Sequence, residues 1–453
     1  MAVTADSFAA LLSTDIFGAS WQGRRVAVVG LGRSGLAAAR LLCRLGCRVR
    51  ATDARNSGDL QALERSLQAE GVEVVELGGH TTRALEDAEL LVVSPGVDES
   101  SGPVQWALER QVPIMSEIEL AFHFCPVPII AVTGTNGKST SVSLIAEILR
   151  TSGRPAVACG NLGIPFSSVL DELSPGSVAV VEVSSFQLLW CHQFRPKIAV
   201  LLNIGTNHMD RHQQHSAYLA AKARLFQRQT PEDWAVLNGR DAHVTHLAES
   251  LQAKRVWFGE NRSNANALLL AEETRRTLTD SAQAVLQVAR LLRIPDPLAW
   301  QVIRSFRGLE HRMEPIATVD GVRYVNDSKS TTPDSLLFAL RQTRGPVVVI
   351  LGGRDKGLDF RPLIDPLHES RVKGLVLIGE ARARIRPLLN GSTLVREATT
   401  LESAIRTAAQ LAEPGTTILF SPACASFDMF RDFEDRGTAF KAIVRRFAGA
   451  ESA

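Results

Sequence analysis

Short apolar, β-branched runs alternate along this chain with longer stretches in which apolar residues recur at helical spacing. A run of about four to eight such residues is typical of a strand, and a longer amphipathic stretch is typical of a helix that covers a sheet. Their alternation predicts parallel sheets joined by right-handed crossovers. The predicted strands are Arg25–Val29, Arg48–Asp53, Val72–Val75, Leu90–Val93, Ile129–Val132, Pro155–Ala158, Val178–Val183, Ile198–Leu202, Ala235–Leu237, Val347–Leu351, Gly374–Ile378 and Thr416–Phe420.

These strands form three groups, and the 453 residues of the chain are enough for about three domains. The pattern predicts an α/β protein with domains at residues 1–126, 127–313 and 314–453. Each would be built on a mainly parallel sheet. The polar, Ala-rich stretch from Gly259 to Thr279 predicts no clear element.

Composition excludes several functional classes. The 50 Lys and Arg residues nearly balance the 48 Asp and Glu residues, so no nucleic-acid partner is indicated. No apolar run approaches the roughly 20 residues of a membrane span, and Met1–Ser20 lacks the basic residues of a secretory signal. The six cysteines contain no C-x-x-C pair, which suits a reduced interior. We therefore expect a cytoplasmic protein without membrane insertion.

A phosphate-binding loop is predicted between the strand at Ile129 and the next helix. Gly134-Thr-Asn-Gly-Lys-Ser-Thr140 would direct backbone N–H groups at a phosphate, with Lys138 near the β- and γ-phosphates and Ser139 near Mg²⁺. The Walker A spacing is incomplete, because its first glycine would fall at Val132. The alternative is an ordinary strand–turn–helix with a surface lysine.

A second glycine pattern follows the first strand. Gly30, Gly32 and Gly35 match G-x-G-x-x-G, and Asp53 lies about 20 residues further on, as in dinucleotide-binding folds. The motif states only that a pyrophosphate can approach the backbone at a helix N-terminus. NAD, a UDP-linked substrate and a tight turn without ligand all fit it, and the UDP-linked substrate is the preferred interpretation.

Metal chemistry is indicated in the middle of the chain. Glu182 ends a strand next to the predicted phosphate loop, where a carboxylate can bind Mg²⁺. His208, His212 and His215 lie close together, so zinc is an alternative, although the flanking motifs are rich in oxygen donors. Lys222 lies in an amphipathic stretch and by itself would be a surface lysine.

Eight motifs, in this order, resemble those of the Mur ligase family, and the resemblance extends from about residue 24 to residue 447. The last two motifs resemble most closely those of the members that add D-glutamate to UDP-N-acetylmuramoyl-L-alanine. The motifs are Gly134–Ser139, Gly160–Pro165, Glu182–Gln187, Ala221–Arg224, Phe306–Arg312, Asn326–Thr331, Gly352–Gly357 and Ser421–Phe430.

The resemblance implies an ATP- and Mg²⁺-dependent ligase of peptidoglycan precursor synthesis. It also implies that the first and third domains are Rossmann-like and that the second is a P-loop-type ATP-binding domain with a mainly parallel sheet. The substrate carboxylate would attack the γ-phosphate of ATP, and the amine of glutamate would displace phosphate from the acyl phosphate through a tetrahedral intermediate. The implied partners are the two small-molecule substrates, UDP-N-acetylmuramoyl-L-alanine and D-glutamate, and a monomer is expected.

The resemblance also implies which residues form the sites. Lys138, Glu182, His208 and Lys222 would be catalytic, and Ser139, Glu182, His208 and Lys222 would hold metal, Lys222 as a carbamate. ATP would contact Gly134, Thr135, Asn136, Gly137, Lys138, Ser139, Thr140, Arg312 and Asp327. The UDP substrate would contact Arg33, Ser34, Asp53, Arg55, Ser94, Pro95, Gly96, Asn161, Ser184 and His208. The amino acid would contact Lys329, Thr331, Lys356, Ser426 and Phe433.

Three departures from the family pattern keep alternatives open. Asn207 replaces an aspartate before His208, and Arg275-Arg-Thr-Leu-Thr-Asp-Ser281 replaces a stretch whose asparagine contacts adenine. Arg354 and Asp355 vary the usual Gly-Gly-Asp-Gly-Lys run. The alternatives are a ligase of the same family for L-glutamate or another acidic amino acid, and a non-catalytic UDP-sugar-binding relative.

Overall fold

The computed structural model describes residues 20–56, 58–205, 215–259, 275–306, 308–355, 357–389 and 394–450. Three sheets organise these residues, with helices between successive strands, so the predicted α/β fold class is confirmed. The chain forms two compact units; the first contains two of the sheets and the second contains the third. The predicted domain boundaries at residues 126 and 313 stay predictions.

The first sheet is wholly parallel, with the strand order β3-β2-β1-β4-β5. Because β1 lies at the centre, the chain turns outward from it in both directions, which is the doubly wound arrangement of dinucleotide-binding folds. The strands are β1 (Arg25–Val29), β2 (Arg48–Asp53), β3 (Val72–Leu77), β4 (Leu90–Val93) and β5 (Ile114–Ser116), and the helices are α1 (Arg33–Arg44), α2 (Gly58–Ala69), α3 (Thr82–Leu85), α4 (Gly102–Glu109) and α5 (Glu117–His123).

The second sheet is also parallel, with the order β11-β10-β9-β6-β8-β7. Its central strand β6 leads into the predicted phosphate loop. The strands are β6 (Ile129–Thr133), β7 (Ala156–Gly160), β8 (Val178–Glu182), β9 (Ile198–Leu201), β10 (Trp234–Asn238) and β11 (Lys254–Phe258). The helices are α6 (Lys138–Thr151), α7 (Ser185–Leu189), α8 (His215–Ala223), α9 (Ala242–Ala248), α10 (Arg275–Leu291) and α11 (Asp296–Ser305), and short 3₁₀ turns lie at Phe166–Ser168, Leu170–Glu172 and Arg224–Phe226.

One apolar core joins the first two sheets. Trp21 and Phe124 meet edge-to-face with ring centroids 5.3 Å apart, and Phe122 meets Phe194 in the same way at 5.6 Å. Phe166 is fully buried in the same cluster. Aromatic pairs of this geometry add to the stabilisation from buried area alone. Helix α5, which follows the first sheet directly, is therefore part of a shared core and not a free linker.

The third sheet has the order β12-β13-β17-β14-β15-β16, and its edge strand β12 is antiparallel to β13. Buried apolar side chains cover both faces of this sheet. The strands are β12 (Glu314–Val319), β13 (Val322–Asn326), β14 (Val347–Gly352), β15 (Val372–Ile378), β16 (Val395–Glu397) and β17 (Thr417–Phe420). The helices are α12 (Pro333–Gln342), α13 (Ile364–Leu367), α14 (Arg382–Ile385), α15 (Leu401–Leu411) and α16 (Phe433–Ala450), with 3₁₀ turns at Arg361–Leu363 and Arg386–Leu389.

Every predicted strand overlaps an observed strand, but five observed strands were not predicted. Strands β5 and β16 have only three residues each, which is too short for a clear pattern. Strand β11 begins with two exposed basic residues, and β12 lies half-exposed at a sheet edge beside β13. Edge strands lack the continuous apolar run that identifies a buried parallel strand.

Candidate functional site

The first glycine-rich turn leads from β1 into α1. Gly30 has φ of +86°, and the Ser94 hydroxyl donates a hydrogen bond of 2.6 Å to its carbonyl oxygen. A Cβ atom on Gly35 would lie only 1.8 Å from that same oxygen. The glycine at position 35 is therefore needed for close packing of the helix against the strand, which is the third-glycine role in pyrophosphate-binding turns.

We predict that Gly35→Ala destabilises the first unit by about 1–3 kcal/mol or more, because the added methyl group overlaps a backbone oxygen that cannot rotate away. Urea unfolding followed by circular dichroism measures the change. Gly32→Ala is the matched control, since within the described residues a methyl group there would meet no heavy atom within 4 Å. Equal stability losses in the two variants would contradict the prediction.

The Asp53 carboxylate organises the end of β2. Its Oδ2 accepts a hydrogen bond of 2.7 Å from the Leu31 N–H, and Arg55 donates to both oxygens at 2.8–2.9 Å. Burial by itself would raise the pKa of Asp53, but the bonds from Arg55 and Leu31 outweigh it, so the pKa lies below its usual value. Asp53 thus holds Arg55, whose side chain stays 60% exposed, beside the glycine turn.

The remaining predicted contacts of the UDP substrate in this domain lie around the same turn. Arg33 and Ser34 begin α1, with Arg33 exposed and Ser34 half-buried. Ser94, Pro95 and Gly96 follow β4, the strand that pairs with β1. The carboxyl ends of β1, β2 and β4 therefore bring these predicted residues to one edge of the sheet.

The second glycine-rich loop joins β6 to α6, as predicted. Gly134 and Gly137 have φ of +147° and +85°, and Gly137 caps the helix. The Lys138 ammonium folds back over the loop and donates to the carbonyl oxygens of Gly134 and Thr135, at 3.0 Å each. Ser139 is buried in the first turn of the helix. The N–H groups of this turn form the helix N-terminus at which a phosphate binds.

Asn203, which sequence reasoning did not include in the site, fastens this loop. Its Oδ1 accepts hydrogen bonds from the N–H groups of Thr135 and Asn136 at 3.1 and 2.8 Å, and its Nδ2 donates to the Asn136 carbonyl. The residue follows β9, which pairs with β6. An asparagine just past the end of the strand next to a phosphate loop was the available signal.

Glu182 ends β8 directly beside β6, where it pairs in register with Val132. Its side chain is 2% exposed. The Asn161 side-chain amide donates to Glu182 Oε1 at 2.8 Å, and the Asn161 N–H donates to the Glu182 backbone oxygen at 2.9 Å. Ser184, two residues further on, is the N-cap of α7 and forms a capping box with Gln187. The two predicted residues Asn161 and Glu182 are therefore in direct contact.

Lys222 is buried against the phosphate loop. Its ammonium donates to the Gly134 carbonyl at 2.9 Å and lies 4.5 Å from the centroid of the Tyr218 ring. Burial lowers the pKa of Lys222 well below its usual value, and the charge of Lys138 lowers it further, while Glu182 acts in the opposite direction. The interpretation of Lys222 as a surface lysine is wrong, because its side chain is 1% exposed.

These residues fit Mg²⁺ by donor chemistry. Ser139 and Glu182 offer hydroxyl and carboxylate oxygens, and a low-pKa Lys222 amine can react with CO₂ to give an anionic carbamate. Over the described ranges, no cluster of three His, Cys, Asp or Glu side chains has the arrangement of a metal site. The predicted ligand His208, and His212 on which the zinc alternative also depends, lie outside the described residues, whereas His215 begins α8.

In the second unit, Asp327 is a buried carboxyl group. It accepts hydrogen bonds from the Ser421 hydroxyl at 2.8 Å and from the Met313 N–H at 3.1 Å. Burial raises the pKa of Asp327 to about 7, although these bonds and the charges of Arg312 and Arg436 oppose the shift. The predicted ATP contacts Arg312 and Asp327 are thus electrostatically coupled.

We predict that Asp327 contributes stability that is lost as the pH rises from about 4 to 7, because Asp327 keeps its proton in the folded state over a range in which the unfolded chain has lost it. The change amounts to at most about 4 kcal/mol for a shift of about three pH units. Asp327→Asn can keep both hydrogen bonds, so its melting temperature should decline less over this range. If the melting temperatures of the two proteins changed by the same amount between pH 4 and pH 7, the prediction would be contradicted.

The predicted amino-acid contacts gather around the start of α16. The Lys329 ammonium lies 5.7 Å from the centroid of the Phe433 ring, and the Ser328 hydroxyl donates to the Phe433 carbonyl at 2.9 Å. The fully buried guanidinium of Arg436 donates to the carbonyl oxygens of Ser328 and Cys424 at 2.8 and 3.0 Å. Arg436, which sequence reasoning missed, therefore joins the segment of Lys329 to the Ser421–Phe430 motif.

The other predicted residues of this pocket differ in burial, and one of them is not described. Ser426 is buried within the same motif, and Thr331 is half-buried two residues after Lys329. Lys356 lies outside the described residues. The two residues before it, at which this sequence departs from the family pattern, form ion pairs: Arg354 with Glu380 at 2.7 Å and Asp355 with Arg384 at 2.6 Å.

Known sequence families match all three parts of the chain. The Mur ligase MurD-like N-terminal domain matches residues 24–116, the Mur ligase middle domain matches residues 132–290, and the Mur ligase glutamate ligase domain matches residues 311–424. These matches confirm the resemblance inferred from the eight motifs.

Whole proteins of the family match at similar length. The UDP-N-acetylmuramoylalanine–D-glutamate ligase of Desulfosudis oleivorans is 38% identical over 456 residues, covering 95% of this chain and 98% of that protein. The ligase of the same name from Geobacter metallireducens is 39% identical over 449 residues, covering 95% and 99%.

A solved structure supports the fold. UDP-N-acetylmuramate-alanine ligase MurC of Thermotoga maritima superposes with a TM-score of 0.56 at 17% identity, covering 94% of this chain and 99% of that chain. Within the described residues, moreover, none of the helices is both long and apolar enough to cross a bilayer.

Proposed function

This chain belongs to the Mur ligase family, and from that premise we propose that it joins D-glutamate to UDP-N-acetylmuramoyl-L-alanine in an ATP-dependent step of peptidoglycan precursor synthesis. The substrate carboxylate attacks the γ-phosphorus, ADP leaves, and an acyl phosphate forms. The glutamate amine then attacks the acyl carbon, and the tetrahedral intermediate collapses with loss of phosphate to give the amide. ATP is required because a free carboxylate is a poor electrophile.

One observation carries this proposal: Lys222 and Glu182 are both buried beside the phosphate loop. Burial of a lysine is costly unless its charge is removed or compensated. A carbamate on Lys222 removes the cation and supplies anionic oxygen close to Glu182. In a P-loop fold without this pair, a nucleotide could bind but the carboxylate activation proposed here would lack its metal ligands.

The chain's own groups mainly position the reactants and stabilise charge. Lys138 and the N–H groups at the start of α6 bind the β- and γ-phosphates. Asn203 fixes the preceding loop by accepting hydrogen bonds from the N–H groups of Thr135 and Asn136. Ser139 and Glu182 would hold one Mg²⁺, and His208 and carbamylated Lys222 would hold a second. Bound there, Mg²⁺ would supply positive charge next to the transferred phosphoryl group. Arg312 and Asp327 are the proposed ATP contacts in the second unit. The backbone N–H groups at the start of α6 favour one position of the phosphates, because they donate hydrogen bonds in fixed directions.

We propose for substrate binding the residues that the family resemblance implies. The UDP end binds at the Gly30–Gly35 turn and its neighbours Arg33, Ser34, Asp53, Arg55 and Ser94–Gly96, and the muramoyl-alanine end lies near Asn161, Ser184 and His208. The two carboxylates of glutamate bind at Lys329 and Lys356, with Thr331, Ser426 and Phe433 forming the rest of the pocket. Cationic side chains suit a dicarboxylic substrate. The substrates are cytoplasmic metabolites, so we place the enzyme in the cytoplasm, as a monomer.

Phosphate release by the purified protein tests the proposal. The assay contains ATP, Mg²⁺ and UDP-N-acetylmuramoyl-L-alanine, with D-glutamate, L-glutamate or no amino acid. Release that requires D-glutamate supports the proposed substrate. Release with L-glutamate alone keeps the mechanism and changes the amino acid. No release despite calorimetric binding of the UDP substrate would favour the non-catalytic relative, and size-exclusion chromatography with light scattering tests the monomer.

A further inference from the structure

Two acidic residues in the first turn of α5 are fully buried where the first sheet meets the second. Glu117 and Glu119 are each 1% exposed, in a helix whose N-cap is Ser116. Buried carboxylates are costly and persist where they accept several hydrogen bonds. Neither residue belongs to the substrate, nucleotide or metal contacts proposed above, so their burial requires another explanation.

Glu117 fixes one end of a loop at the candidate metal site. Its Oε1 accepts hydrogen bonds from both the N–H and the hydroxyl of Ser167, at 2.6 Å each. Ser167 is fully buried in the 3₁₀ turn Phe166–Ser168, which follows the Gly160–Pro165 loop immediately. Both bonds end on the same buried oxygen of Glu117, so Ser167 has little freedom to move.

The other end of the same loop is fixed on Glu182. Asn161 donates its side-chain amide to Glu182 Oε1 and its N–H to the Glu182 carbonyl oxygen, at 2.8 and 2.9 Å. The loop closes on itself through the Gly160 N–H and the Ile164 carbonyl, at 2.7 Å. A Cβ atom at Gly160 would lie 2.3 Å from the Glu182 carbonyl oxygen, so the loop is packed directly on that residue.

We propose that Glu117 is a positioning residue for the metal site. It anchors the Gly160–Pro165 loop through Ser167, and the anchored loop aims the Asn161 amide at Glu182 and so fixes the carboxylate that binds Mg²⁺. The inference rests on the proposed role of Glu182. It assigns to α5, which packs in the core shared with the first sheet, a part in building the metal site on the second.

Glu119 provides a matched comparison on the same helix. Its two oxygens accept hydrogen bonds from the N–H groups of Gln193 and Phe194, at 2.7 and 3.0 Å. These residues precede β9 and therefore lie at the amino edge of the second sheet, whereas Asn161 and Glu182 lie at its carboxyl edge. Loss of Glu119 should weaken the fold without moving Glu182.

The test compares Glu117→Leu with Glu119→Leu in the full-length protein, because leucine has no oxygen that could accept the bonds from Ser167 or from Gln193 and Phe194. Binding of Mn²⁺ in the presence of ADP is measured by electron paramagnetic resonance, and stability is measured by thermal unfolding. We expect both variants to melt at lower temperature. Only Glu117→Leu should weaken Mn²⁺ binding, by about 10-fold or more, which is the usual effect of losing support for a metal ligand. Unchanged Mn²⁺ affinity in Glu117→Leu, or an equal loss in Glu119→Leu, would overturn the inference.

Ser167→Ala is a milder variant, to be used if Glu117→Leu does not fold. Ser167→Ala removes the hydroxyl bond and keeps the N–H bond, and should weaken Mn²⁺ binding less than Asn161→Ala does. The double variant should bind Mn²⁺ no worse than Asn161→Ala alone, since both changes act on one path. If the double variant lost Mn²⁺ affinity by the sum of the two single losses in free energy, Ser167 would not act through Asn161, and the inference would be overturned. The assay contains no UDP substrate or glutamate, so failed ligation leaves its result intact, whereas absent Mn²⁺ binding by the unsubstituted protein overturns both proposals.

Discussion

Lys222→Ala is expected to reduce phosphate release by about 10³-fold, the scale of losing several kcal/mol of charge stabilisation by a metal ion. The substitution removes the nitrogen that carries the carbamate and leaves a cavity beside the Gly134 carbonyl. Acetate at high concentration should restore part of the activity, because a small carboxylate can occupy that cavity and supply anionic oxygen. Steady-state phosphate release, with and without acetate, measures both effects.

The carbamate itself can be observed without turnover. Protein equilibrated with ¹³C-bicarbonate should give a carbamate carbon resonance that is absent from Lys222→Ala. Lys254→Ala is the control, because Lys254 is exposed at the start of β11, where its ammonium lies 5.2 Å from the centroid of the Trp234 ring. A resonance that persists in Lys222→Ala, or full activity without any resonance, would contradict the assignment.

Periodicity located the strands because most of them are buried on both faces. A β-branched run such as Ile129–Thr133 is fully buried, so nearly every position carries the signal. The same reasoning located the phosphate loop, since Gly134 and Gly137 adopt positive φ values that other residues rarely adopt. At the buried strand positions and at these two glycines, the local backbone conformation and the overall fold require the same residue type.

Burial of individual polar side chains could not be predicted in this way. Lys222 lies in a helix-forming stretch that reads as a solvated surface, and only the packing of α8 against the phosphate loop buries it. Glu117 is equally ordinary in sequence, because its partner Ser167 lies 50 positions away. Contacts at such separation depend on strand order, which periodicity does not specify.

The first glycine pattern predicts a local structure but does not identify the ligand that binds there. The Gly30–Gly35 turn does form and does pack as the motif requires, yet these observations hold for any pyrophosphate. Arg55, held by Asp53 and mostly exposed, is the feature of this turn that an NAD fingerprint does not predict. The family matches, and not the turn, favour a UDP-linked substrate.

Glu182→Gln is expected to lower phosphate release by about 10²–10³-fold at fixed Mg²⁺, since an amide of the same shape cannot supply the negative charge that holds the metal. Part of the loss should be recovered by raising the Mg²⁺ concentration. Binding of the UDP substrate, measured by calorimetry without nucleotide, should change little, because the Asn161 amide can still donate to the glutamine oxygen.

Two further observations separate the metal role of Glu182 from an effect on Lys222. Glu182 raises the pKa of Lys222, so its neutralisation should leave the amine more often uncharged, and the ¹³C carbamate resonance should survive in Glu182→Gln. Glu172→Gln, an exposed carboxylate of the same domain, should behave like the unsubstituted protein. If Glu182→Gln kept its Mg²⁺ dependence but lost the resonance, Glu182 would act by supporting the lysine and not by holding the metal.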